Sequence, residues 1–176
     1  VSMGSLNNTT DCVSPLTGSQ GAGTGSANMY ADFTGPGGVP SPTIYKGLNQ
    51  PFSLTIGTCG ASVASSVKIF IDFNHNTVFT DPGEEVYSNA AVTSVSPSAV
   101  VSGSFLVPAT ASTLTGCTKM RVVMISTWIG TVMSTGSYAY GETEDYSVNI
   151  IQPSASDPAV TAINVPPGTC FTNNET

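Results

Sequence analysis

The sequence predicts an all-β fold, an antiparallel β-sandwich of jelly-roll or immunoglobulin-like type with little or no helix. Three observations carry this expectation. The 18 glycines and 12 prolines are spread between short apolar runs along all 176 residues, which is how turns punctuate strands. No Gly- and Pro-free stretch of 11 or more residues repeats apolar side chains at helical spacing, so nothing supplies an amphipathic helix. Several runs instead alternate apolar and polar residues, the period of a strand with one face buried.

In chain order, short strands are expected at residues 1–6, 30–34 and 52–56, and residues 8–28, rich in Gly, Ser and Thr, form a long surface loop. Residues 67–73 (VKIFIDF) carry the strongest pattern. Val67, Ile69, Ile71 and Phe73 share one face and Phe70 lies on the other, as in a central strand covered on one side and partly on the other. Further strands are expected near 85–87, at 100–107 and at 120–125 (MRVVMI). Tyr146, Val148 and Ile150 then alternate with Ser147, Asn149 and Ile151, giving one core face and one mostly solvated face. Residues 152–158 (QPSASDP) read as a linker. Residues 159–176 read as the start of a following immunoglobulin-like domain or as an exchanged or docking strand, leaving 1–151 as the sandwich.

Only 9% of residues are charged, with 4 Lys+Arg against 11 Asp+Glu. There is no basic surface for a phosphate backbone or an anionic membrane, whereas a cation or a neutral polymer is compatible. No run of 18 apolar residues is long enough for membrane insertion as a helix. Cys12, Cys59, Cys117 and Cys170 have no C-x-x-C spacing, so disulfides are expected instead of zinc. Cys59 with Cys117 is the favoured pair, because each precedes a strong apolar strand. Low charge and disulfides place the chain in an extracellular or cell-surface setting, as a piece of a longer processed protein.

The richest polar stretch is residues 72–85 (DFNHNTVFTDPGEE), at the end of the strongest strand. Asp72, Asn74 and Asn76 supply oxygen at every second position, and Asp81 and Glu84 follow. A hard cation such as calcium takes six to eight oxygens, which a turning loop of this kind provides. The alternative is a set of Asx turns in which the same side chains bind their own backbone. Thr77 stands where a calcium loop has glycine and resists the positive φ of its sharp turn. Glu142, Glu144 and Asp145 concentrate charge before a core strand. Glu142 and Asp145 are candidates for sharing a cation with the Asp72 loop; the competing compensation comes from Arg121 and Lys119 on a neighbouring strand, above all a salt bridge from Arg121, the chain's arginine, to Glu142 or Glu144. His75 is the only histidine; it reads as an exposed loop residue, and no Ser-His-Asp or Cys-His centre is expected. Trp128, Tyr138 and Tyr140 are candidates for a sugar-binding platform.

The pairing of residues 67–84 (VKIFIDFNHNTVFTDPGE) with 141–150 (GETEDYSVNI) resembles the GEVED domain, whose name-giving motif GETED matches at four of five positions. MGSLNNT (3–9), YADFT (30–34) and MRVVM (120–124) follow in the family's order. Where family members have DGDF this chain has NTVF (76–79), which weakens any metal role carried over. The resemblance implies a β-sandwich accessory module of secreted, multidomain, Bacteroidetes-type surface proteins. The expectation is therefore a non-catalytic structural or adhesive module of such a protein or of an extracellular fibre, calcium-stabilised, with other domains or subunits as partners. The alternative is a carbohydrate-binding module that targets an attached enzyme to polysaccharide.

Overall fold

The computed structural model describes residues 1–10, 30–34, 39–57, 64–92, 98–126, 132–136, 138 and 141–154. Ten strands and no helix occur among them: β1 (Ser2–Met3), β2 (Leu6–Asn7), β3 (Tyr30–Asp32), β4 (Thr43–Tyr45), β5 (Asn49–Gly57), β6 (Ser65–Ile71), β7 (Glu85–Val92), β8 (Ser98–Leu106), β9 (Gly116–Ser126) and β10 (Gly141–Ile151). They form two sheets. One runs β2-β1-β5-β8; the other runs β3-β10-β9-β6-β7, with β4 also paired to β10.

The alternation in the sequence sets which side chains lie between the sheets. Phe52, Leu54 and Ile56 of β5 and Val101 and Phe105 of β8 meet Val67, Ile69 and Ile71 of β6, Met120 and Val122 of β9, and Tyr146, Val148 and Ile150 of β10. Met3 and Leu6 close one end of this core, held in register by a two-residue turn that begins at Gly4 with φ of 55°. Removing apolar surface from water at roughly 25 cal/mol per Å² makes this layer the main source of stability. The outer face of β6 and β9 is covered as well. Phe70, Val123 and Ile125 pack with Phe79 and Val132 into a second cluster, with Tyr138 half-buried against it.

The all-β, two-sheet reading holds, and the strands at the centre of each sheet lie where the pattern put them. The sandwich is mixed instead of purely antiparallel: β3 and β4 both run parallel to β10, Tyr30 opposite Thr143 and Thr43 opposite Asn149. These two pieces line the same edge of one strand, and the segment between them contains Pro36, Pro40 and Pro42, which have no N–H to donate to a ladder. The expected first strand is the two-part hairpin β1–β2, and β4, three residues long beside Pro40 and Pro42, has no counterpart among the expected strands.

Ile69 is 1% exposed in the centre of β6, so Ile69→Ala should lower the unfolding free energy by about 2–5 kcal/mol in urea titrations. Val100, 68% exposed on β8, serves as the contrast: Val100→Thr should move it by no more than about 0.5 kcal/mol.

Candidate functional site

The GETED segment opens β10, and strand geometry divides it between two faces. Gly141 comes first because nothing larger fits: a Cβ there would lie 2.2 Å from the Met124 carbonyl oxygen and 2.9 Å from Ile125 Cα. Thr143 and Asp145 point outward, and Glu142 and Glu144 point to the same side as Tyr146, toward the sandwich interior.

Asp145 is directly opposite Arg121 on β9, and the two form a two-pronged ion pair. Arg121 Nε donates to Asp145 Oδ1 and Nη2 to Oδ2, both at 2.6 Å, while Nη1 donates to the Ser134 carbonyl at 2.7 Å. Tyr30 from β3 donates its hydroxyl to Asp145 Oδ2 at 2.9 Å. The guanidinium carbon sits 4.8 Å from the Phe79 ring centroid, a cation–π contact that joins the ion pair to the outer apolar cluster. The hydrogen bonds it donates to Asp145 hold the Arg121 guanidinium above its ordinary pKa. Burial, followed by the negative charge of Asp145, pushes the Tyr30 phenol up to about 12. Next to this group, the hydroxyls of Tyr138 and Thr143 are hydrogen-bonded.

On the inner side, Tyr146 donates its hydroxyl to Glu144 Oε2 at 2.8 Å, and Thr10 donates to Glu144 Oε1 at 3.1 Å. Asn8 Nδ2 donates to the Tyr146 oxygen at 3.0 Å. Glu142 Oε1 is buried without a hydrogen-bond partner. Burial, then the charge of Glu144, pushes the Glu142 carboxyl up to about 7.

The loop after β6 is closed by its own side chains. Asp72 accepts from the Asn76 and Thr77 N–H groups at 3.0 and 2.8 Å, Asn74 Oδ1 from Asn76 N–H at 3.0 Å, and Asn76 Oδ1 from Val78 N–H at 2.8 Å. Asn74 and Asn76 donate their amides to Asp81 Oδ2 at 2.7 and 2.6 Å, which lowers the Asp81 pKa. Glu84 is 2% exposed. Its Oε1 accepts from Phe73 N–H at 3.0 Å, whereas Oε2 has no partner, and burial raises its pKa. His75 and Thr77 have φ of 59° and 70°. The sharp turn that Thr77 was expected to resist is therefore made, its N–H held by Asp72. Among the described residues no three His, Cys, Asp or Glu side chains converge on a metal position.

Asp72, Asn74, Asn76, Asp81 and Glu84 do share one loop, but Glu142 and Asp145 do not join them. Glu142 pairs with Met124, while Asp72 N–H bonds Lys119 five residues further along β9, roughly 16 Å at the rise of a strand. Asp145 faces away from Glu142 and is occupied by Arg121. The expected bridge from Arg121 to Glu142 or Glu144 is corrected for the same reason: those glutamates lie on the other side of the sheet. Cys117 is an exposed free thiol, on the solvent side of β9 with Lys119, and so is not bridged to Cys59, which falls outside the described residues, as do Cys12 and Cys170. Trp128 and Tyr140 also fall outside them, and Tyr138 lies against the outer cluster. His75 is half-buried instead of exposed. Sequence reasoning gave no role to Asn8, Thr10, Tyr30 or Ser134. Asn8, Thr10 and Ser134 carry no charge, and all four act only through distant strands.

Residues 66–149 match the GEVED domain family. The chain contains a GEVED domain. The matched stretch, a little under half of the chain, takes in the Asp72 loop, Arg121 and the GETED segment. The strands before it, β1–β5, belong to the same two sheets as the GEVED strands. No curated protein matches the chain.

Gly141→Ala should destabilise the GEVED domain by more than about 2 kcal/mol in chemical denaturation, since the atom the added methyl meets is backbone. Asp145→Asn should cost about 3 kcal/mol by leaving the Arg121 charge underpaired, and adding Arg121→Met should recover part of that loss in the double variant.

Proposed function

We propose that this GEVED domain is a non-catalytic structural or adhesive module of a secreted or cell-surface multidomain protein or extracellular fibre, joined to other domains or subunits. One observation supports it above all: the motif's outward acid, Asp145, is held by Arg121 and Tyr30, leaving it no free face toward a substrate. A catalytic carboxyl must instead reach a reacting atom within hydrogen-bond distance. In the Asp72 loop, Asp72, Asn74, Asn76 and Asp81 are hydrogen-bonded in shaping the loop, and only Glu84 keeps a buried oxygen without a partner. The carbohydrate-binding reading rests on Trp128, Tyr138 and Tyr140, of which Tyr138 packs its ring on the outer cluster and bonds Thr143 through its hydroxyl. Panels of polysaccharide and peptide substrates should show no turnover. Glycan-array capture that disappears in Trp128→Ala would overturn the purely structural reading.

We also propose that the Asp72 loop takes calcium. Glu84 Oε2, buried and unpartnered beside Asp72, is the oxygen that calls for a cation. Asp72, Asn74, Asn76, Asp81 and Glu84 would hold the ion, which would supply charge compensation and rigidity. Because calcium binding stabilises the folded state by mass action, saturating calcium should raise the melting temperature over chelator-treated protein. Asp72→Asn and Glu84→Gln should each remove that difference. An unchanged midpoint in fully stripped wild-type protein sinks the calcium reading and leaves the module reading standing.

A further inference from the structure

The Glu142–Glu144 pair serves neither the Arg121 ion pair nor the Asp72 loop. Two residues apart on one strand, both carboxyls point toward the interior at the same end of the sandwich, where residues 8–10 cross over them. We propose that residues 8–10 form a strap over the start of β10 that stays closed while the Glu142–Glu144 pair holds a proton and opens when that proton leaves.

The strap is tied down at three points. Asn8 N–H bonds the Val1 carbonyl at 2.9 Å, the Asn8 amide reaches Tyr146, and Thr10 reaches Glu144. Beneath it, Glu142 Oε1 is buried with no donor, an arrangement that suits a neutral carboxyl and costs a carboxylate its hydration. Two neighbouring carboxylates repel, and with Glu144 buried and Glu142 half-buried one of them is the natural holder of a proton. Among the described residues, the titratable groups around Glu142 are Glu144 and Tyr146 on β10 and Tyr138 before it, and the Thr10 hydroxyl offsets only part of the cost. From β9 the uncharged Val122 and Met124 stand opposite the two glutamates, and Arg121 is turned to the other face.

The direction follows from the raised Glu142 pKa. A carboxyl that titrates near 7 in the folded state and near 4.5 otherwise favours folding fully below the lower value. That contribution is lost as pH rises through about 7. The strap is therefore closed in mild acid and loosened above neutrality, where water entering between Thr10 and Glu144 solvates both carboxylates.

The test is hydrogen exchange at the amides of residues 8–10, corrected for intrinsic rates, with calcium chelated so that the Asp72 loop does not contribute. Protection should fall at least tenfold between pH 5.5 and 8 in the wild type, and the melting temperature should drop by about 3 °C or more. Glu142→Gln should keep the strap protected at pH 8 and flatten the melting profile. Thr10→Val should open it at pH 5.5 while β6 and β9 amides stay protected. If Glu142→Gln does not fold, carbon-13 titration of the wild-type Glu142 carboxyl decides. A midpoint near the ordinary 4.5, or equal strap protection at both pH values, overturns the proposal.

Discussion

Successive side chains of an extended strand leave on opposite faces, and β10 begins with four polar residues, Glu142 to Asp145, that cannot all reach the same solution. The strand lies inside its sheet, with β9 on one side and β3 and β4 on the other, so neither face is simply open to water. Each face must supply its own compensation. Outside, Asp145 meets the planar fork of Arg121 in a geometry that lysine cannot match. Inside, the Thr10 and Tyr146 hydroxyls satisfy Glu144, and Glu142 retains an unpartnered oxygen.

The position of Arg121 follows from this division. It stands opposite Asp145 in the antiparallel register of β9 and β10, close enough for direct pairing without bending either strand. Its Nη1 donates to the Ser134 carbonyl and its flat face meets Phe79. One side chain thereby fixes the segments on both sides of the second apolar cluster. Removing charges from water is costly; two parallel hydrogen bonds, a third from Tyr30 and an aromatic face offset that cost here. The ion pair works as a register pin for the sheet, with the apolar core between the sheets providing the bulk of the stability.

The Asp72 loop solves a different problem, reversing the chain at the end of the most buried strand. Two consecutive Asx-type closures place His75 and Thr77 in the left-handed region, a conformation costing about 1–2 kcal/mol at a β-branched residue. Hydrogen bonds donated by the Asn76 and Thr77 N–H groups to the two Asp72 oxygens oppose that cost. The asparagines do double duty, accepting from the backbone through oxygen and donating to Asp81 through nitrogen. This is why the loop reads from sequence both as a cation site and as a set of turns: the two uses require the same residue types at the same alternate spacing.

Much of the fold was legible because burial in a sheet imposes a period of two. Val67, Ile69 and Ile71, or Tyr146, Val148 and Ile150, announce both a strand and its inner face, and the Gly and Pro spacing announces the turns. The same period placed Phe70 outside, and family resemblance picked out the GETED segment as a unit. What pairs with what was not written there. Register along β9 decided that Arg121 meets Asp145 instead of a glutamate, and five residues of separation took Glu142 away from the Asp72 loop. Parallel docking of β3 brought Tyr30 to Asp145 across more than 100 positions of chain. Local pattern records only which face a side chain takes; the partner on that face is chosen by strands distant in sequence, whose alignment is settled by packing the whole sandwich at once.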